Sequence, residues 1–189
     1  MRRQIKSEES PIHNLKYPTD LDEIRRQLLV EQNNICAYVE TYLGGRFDSK
    51  DIEHFNPTLK STEADGYDNW FLVNHQLNNE KGRKARWLEH QPLFHPTNTD
   101  FNERIIYLEG EYISKPGDKE ALNLIEYLKL NDEQLTVERK RYIKRRKEAI
   151  DMKQTTPESY FQQRLLKEPN SVYFIRAIEE EFKIKIQFS

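Results

Sequence analysis

Between Asp51 and Arg83 the chain reads DIEHFNPTLKSTEADGYDNWFLVNHQLNNEKGR, and the order of its polar residues constrains the fold more than any other stretch. A Glu53-His54 pair is followed fifteen residues later by Asn69 in a Tyr67-Asp68-Asn69 turn, and Asn78 stands three residues ahead of Lys81-Gly82. Hydrolysis of a phosphodiester needs a water made nucleophilic and a metal ion to take up the charge that builds on the phosphate and the leaving oxygen. A neutral imidazole, with an unperturbed pKa of about 6.5, is the natural base near neutral pH. His54 fits that role. Asn69 can hold its turn and aim its carbonyl at the imidazole. Glu53 and Asn78 offer hard oxygens to Mg²⁺ or Mn²⁺. Lys81 shares a helix face with Asn78 and is placed to reach a phosphate, with Arg83 close behind it. Neighbouring strand residues point to opposite faces, so Glu53 and His54 serve one site only where the backbone bends. His75 and Asn79 rival Asn78 as the helix ligand.

The totals set the frame for that stretch. A chain of 189 residues with 36% apolar residues can bury one core, so a single domain is expected over 1–189. No apolar run approaches the ~18 residues of a membrane span. The charged N-terminus MRRQIKSEES lacks an apolar h-region, and the single Cys36 rules out an intramolecular disulfide. These features predict a cytoplasmic protein without a membrane partner. A net charge of −2 argues against coating nucleic acid by bulk electrostatics, yet Arg139 to Lys147, RKRYIKRRK, is almost wholly basic. On a helix such a run is a solvated face, or it follows a phosphate backbone through Arg139, Lys140 and Arg141.

Local patterns predict an α+β fold. An arm over the first 18 residues precedes a helix that starts at Thr19, which caps it, and stops near Asn33-Asn34. Ile35 to Leu43 reads as a strand closed by Gly44-Gly45, and Asp51 to His54 as a second. A polar loop and a helix from Asn74 follow. Arg104 to Ser114 predicts a hairpin turning at Glu109-Gly110. Lys119 to Leu130 predicts a helix, and Asn131 is placed to cap the next one, which runs to about Met152. Thr156 to Lys167 and Ser171 to Lys183 are two more helices, the first with Pro157 in its opening turn.

Glu53-His54, Asn69 and Asn78-x-x-Lys81-Gly82 resemble the HNH nuclease motif on a ββα-metal core, here expected within residues 35–90, with a helical part over 119–189. The resemblance reaches outward through Leu28-Leu29-x-Glu31-Gln32-x-x-x-Cys36-Ala37-Tyr38-x-Glu40, Ile52-Glu53-His54-Phe55-x-Pro57 and Leu128-x-Leu130-Asn131-x-x-x-Leu135-x-x-x-Arg139. Together these are similar to the PtuB-type HNH endonucleases of Septu and retron-associated anti-phage systems. The resemblance implies a Mg²⁺- or Mn²⁺-dependent endonuclease acting on DNA or on RNA such as tRNA. Implied partners are an ABC or SMC-like ATPase of the PtuA type and a retron reverse transcriptase with its RNA-DNA product. A catalytically inactive module that binds the ATPase or nucleic acid is the alternative. That family commonly holds a structural zinc with two Cys-x-x-Cys pairs. Here the pairs read Cys36-x-x-Val39 and Asn74-x-x-Leu77, so no structural zinc is expected and packing must hold the knuckle.

Overall fold

The computed structural model describes residues 1–45, 49–82 and 84–188. Its central hairpin pairs β1 (Lys50–His54) with β2 (Trp70–Asn74), antiparallel, with Ile52 opposite Leu72, Glu53 opposite Phe71 and His54 opposite Trp70. Four consecutive apolar residues of β2, Trp70 to Val73, are buried, as a strand covered on both faces requires. Helix α2 (His75–Lys81) follows with no intervening loop, because the Asn74 side chain accepts from the Gln76 amide and starts it. Gly82, at φ +81°, ends it, and α3 (Lys84–Glu89) resumes the helical path. The expected single helix from Asn74 is therefore two. Its glycine takes a left-handed conformation that a continuous helix does not allow.

The expected strand from Ile35 to Leu43 is absent as such. That segment forms one isolated bridge, Ile35 to Tyr42, around a tight turn in which the Cys36 amide donates to the Thr41 carbonyl at 2.8 Å. Its apolar run reflects burial in a knuckle. Gln32 pins this knuckle to β2, donating to the carbonyls of Ile35 at 2.9 Å and Leu72 at 2.8 Å and accepting from the Leu72 amide at 2.8 Å. The Cys36 thiol lies against the backbone of Val39 and Asn74, and burial pushes its pKa up. The paired strands are thus β1 and β2, with the polar loop between them.

Helix α1 (Leu21–Glu31) buries Ile24 and Leu28 and ends at Asn33 and Asn34, both at positive φ. Thr19 does not cap it: Asp20 takes that position, and its carboxylate accepts from the Lys16 amide at 2.8 Å. The N-terminal arm forms no helix or strand before α1, but it is anchored, with Met1 and Ile12 buried. Beyond the core hairpin come α4 (Phe101–Arg104) and the hairpin β3 (Ile105–Leu108) and β4 (Glu111–Ser114). Glu109 and Gly110 turn it at φ 45° and 93°, the positive pair that a tight two-residue turn needs.

Helix α5 (Lys119–Tyr127) leads to α6 (Glu133–Lys153), which Asp132 caps by accepting from the amides of Gln134 and Leu135. Asn131, expected in that role, instead makes both hydrogen bonds of its amide with the Tyr112 backbone, at 2.8 and 2.7 Å, tying β4 to the end of α5. Helices α7 (Pro157–Lys167), capped by Thr156, and α8 (Ile175–Phe182) complete the chain. Among the described residues these are eight helices and two antiparallel two-stranded sheets, an α+β fold, around a hydrophobic cluster that spans Met1 to Ile186. No helix of the described residues is long and apolar enough to cross a membrane.

Candidate active site

The loop between β1 and β2 folds back over the end of β1 and fixes His54. The imidazole is buried, 4% exposed, and its Nδ1 lies 3.0 Å from each carboxylate oxygen of Asp65, whose side chain is equally buried. Asp65 Oδ1 also accepts from Asn69 Nδ2 and Trp70 Nε1, both at 3.0 Å. Asn69 closes the loop as well, accepting from the Asn56 amide at 2.7 Å and donating to the Asn56 carbonyl at 3.1 Å. The expectation that Asn69 faces the imidazole is corrected here: its amide is spent on the loop and on Asp65, and the carboxylate orients the ring. Tyr17 of the arm packs edge-on against the imidazole, ring centroids 4.6 Å apart.

With Nδ1 donating to Asp65, the His54 Nε2 carries a lone pair, and it is buried without a hydrogen-bond partner. Burial lowers the His54 pKa, Asp65 pulls it up, and Lys60 lowers it further, with a net downward shift. The ring is therefore neutral near pH 7.

His54 shares a cleft of about 580 Å³ with Glu53, Asn78, Asn79, Lys60 and Lys81. The adjacent Glu53 and His54 both reach it because β1 ends at His54 and the chain bends immediately afterwards. Asn78 donates to Asp51 Oδ2 at 2.9 Å, and the same oxygen lies 2.8 Å from His75 Nδ1. Asn79 lies 2.9 Å from the other nitrogen of His75, so His75 and Asn79 pair with each other on the exposed side of α2.

Lys81 departs from its expected role as a phosphate clamp. The α2 helix directs it inward: it is 4% exposed, its ammonium contacts the Glu53 carboxylate and donates to the carbonyls of His54 at 3.2 Å and Phe55 at 3.4 Å, and it sits 4.8 Å from the Tyr127 ring centre. Burial carries its pKa down to about 6, and its ammonium lies against the Glu53 carboxylate. Arg83 lies outside the described residues.

Arg139, also expected to meet phosphate, is fully buried. Its guanidinium donates to the carbonyls of Gly110 and Leu130 and lies 4.7 Å from the Tyr112 ring centre, which makes it a strut between α6 and the β3-β4 turn. Lys140 is exposed and 3.4 Å from Glu111, and Arg141 is exposed.

A hard cation such as Mg²⁺ or Mn²⁺ takes oxygen ligands and keeps several waters. Glu53 and Asn78 bring a carboxylate and an amide to the cleft beside His54, a donor set of the right chemistry. A cation bound there shares Glu53 with Lys81. Among the described residues, no three His, Cys, Asp or Glu side chains form a ready metal cluster.

Asp65, Tyr17 and Lys60 were not singled out from the sequence. Asp65 lies in a polar loop with no periodicity, and only the folding of that loop onto His54 gives it a role. No protein-family model, curated protein or solved structure matches the chain.

Proposed function

We propose that the protein is a metal-dependent endonuclease of the HNH type that hydrolyses phosphodiester bonds in nucleic acid, DNA before RNA, on a ββα-metal core made by β1, β2 and α2. The observation that carries this reading is the His54 imidazole, fixed through Nδ1 by buried Asp65, with Nε2 buried and without a hydrogen-bond partner, in a residue that lines the same cleft as Glu53 and Asn78. His54 Nε2 takes the proton of the attacking water, and Asp65 steadies the imidazolium that results. Glu53 and Asn78 would hold Mg²⁺ or Mn²⁺, which supplies charge stabilisation at the phosphate. Lys60, exposed at the cleft rim, meets the incoming backbone.

The role in anti-phage defence, the PtuA-type ATPase and the retron reverse transcriptase are proposals that rest on the resemblance of the motifs. Cleavage of plasmid, single-stranded DNA and total tRNA with Mg²⁺, Mn²⁺ or Ni²⁺, with and without such an ATPase, tests the reading. Metal-dependent cutting is expected; binding without cutting under every metal favours the inactive binding module instead.

The pH dependence follows from the buried imidazole. Because the folded His54 pKa lies below 6.5, single-turnover cleavage should be level at pH 7 and fall only as pH drops through that lowered pKa. Lys60→Glu removes a cation that opposes protonation and adds an anion that favours it, so the acid limb should move to higher pH. A limb that stays in place in that variant would separate the observed titration from His54.

A further inference from the structure

We propose that a second cleft, on α6, is a binding site for a short single-stranded segment of nucleic acid, gripped by Arg141 and Arg145 with Tyr173 as a stacking surface. The cleft has a volume of about 770 Å³, and Tyr142 and Arg146 line it together with these three residues. It goes beyond the hydrolysis assigned to His54 and stands apart from the residues of that site.

The basic run is not uniform once folded. Arg139 is buried, Lys140 is 3.4 Å from Glu111, Lys144 is 4.0 Å from Glu148 and Lys147 is 2.8 Å from Glu181. Arg146 is turned inward, donating to the Ser171 carbonyl at 3.0 Å and lying 4.5 Å from the Tyr142 ring centre. Arg141 and Arg145 are exposed, and among the described residues neither is paired with a carboxylate. One turn apart, they share a helix face at a spacing of about 6 Å. Guanidinium groups bind phosphate in a forked geometry that fits one group per phosphate.

Beside them the rings of Tyr142 and Tyr173 pack with centroids 4.4 Å apart, and Tyr173 is half-buried at the cleft. A cation pair next to an aromatic face is the combination that holds a phosphate backbone and a base together. Two features select a single strand. Among the described residues of this cleft two guanidinium groups, Arg141 and Arg145, are not paired with a carboxylate, too few for the broad phosphate surface of a duplex, and an aromatic face is useful only to a base that is not already stacked in a helix. Glu133 and Glu138 line the same cleft and repel any anion, phosphate as much as carboxylate, so the attraction for a strand rests on Arg141 and Arg145.

Fluorescence anisotropy with the full chain carrying His54→Ala measures binding without turnover. The probes are labelled single-stranded DNA and RNA of about 12 nucleotides and a duplex of the same sequence. Arg141→Ala with Arg145→Ala should weaken single-strand binding about tenfold or more and lower the salt slope by about 1.4, two phosphates at about 0.7 each. Tyr173→Leu, which keeps an apolar side chain against Tyr142, should weaken it about fivefold or more. Lys140→Ala with Lys144→Ala removes the same charge from the same helix outside the cleft and should change binding less than about threefold.

The proposal is overturned if the arginine pair can be removed without effect, if the lysine pair costs as much, if the duplex binds more tightly than the single strand, or if nothing binds. The DNA and RNA arms distinguish the two sources of the strand. Selective loss on removing the arginines, in a protein that never cuts, would uphold this site while rejecting the proposed hydrolysis.

Discussion

Asp65→Asn is expected to lower turnover by about 10²- to 10⁴-fold, close to the loss in His54→Ala, while leaving the chain folded and its substrate affinity little changed. Both Asp65 oxygens lie 3.0 Å from His54 Nδ1, so the carboxylate selects the tautomer with the proton on Nδ1 and the lone pair on Nε2. An amide can turn its NH₂ toward that nitrogen, selecting the opposite tautomer and presenting the attacking water with an N–H where an acceptor is needed. It also carries no charge to offset the imidazolium that forms during reaction. Asn nevertheless retains one oxygen for the Asn69 and Trp70 donors, each 3.0 Å from Oδ1, so the loop keeps much of its support.

Asp65→Ala is the contrasting variant: it leaves Trp70 Nε1 and His54 Nδ1 without their partner, while Asn69 Nδ2 keeps the Asn56 carbonyl, and it should also destabilise the fold, by about 1–3 kcal/mol for each buried group left unpaired. The two are separated by measuring single-turnover cleavage across pH alongside the urea midpoint. Asp65 acts through His54, so its loss should appear in kcat with little change in KM, and the acid limb should move with it. Wild-type rates and an unshifted limb in Asp65→Asn would remove it as a positioning residue. Wild-type rates in His54→Ala would reject the proposed chemistry as a whole.

The local signals that were legible in the sequence share one property: they are decided by neighbours along the chain. Glu109-Gly110 takes positive φ because a two-residue hairpin turn demands it, and Asn33-Asn34 ends α1 for a similar reason. The Glu53-His54 pair and Asn78 line one cleft. What was not legible depends on distant partners. Ile35 to Leu43 has strand composition, but Gln32 and β2 satisfy its backbone as a knuckle, so the second strand of the hairpin is Trp70–Asn74. Arg139 and Lys81 have the side chains of phosphate ligands, and their burial follows from which way their helices face. Asp65 carries no signal of its own in a polar loop.

Glu40→Ala is expected to destabilise the protein by about 3–5 kcal/mol, a large share of the ~5–15 kcal/mol that holds a typical domain together. Glu40 is 1% exposed, and three separate parts of the chain meet on its carboxylate. The Met1 amino group lies 3.5 Å from Oε2, the Arg2 amide donates to Oε1 at 3.0 Å, the Tyr112 hydroxyl donates at 3.4 Å and the Arg176 amide at 3.2 Å. The Glu40 carbonyl also accepts from the Phe174 amide at 2.9 Å. The knuckle is therefore tied through one residue to the N-terminal arm, to β4 and to the start of α8.

Burial drives the Met1 amino group well below its ordinary pKa while Glu40 opposes that shift, and the same carboxylate counters the desolvation of Arg139. Alanine removes the anion but leaves these donors and the Arg139 cation inside the protein, which is the costly way to break such a cluster. Glu40→Gln should fall between the two, since it keeps the shape and one acceptor but brings an NH₂ among groups that already donate. Urea unfolding of the two variants against wild type checks the order. A loss below about 1 kcal/mol in Glu40→Ala would show that the three segments hold together without it. Because the knuckle also braces β2, a strand of the hairpin that carries the candidate site, the proposed cleavage should be lost at a lower temperature in the variant than in wild type, even though Glu40 lies outside the cleft.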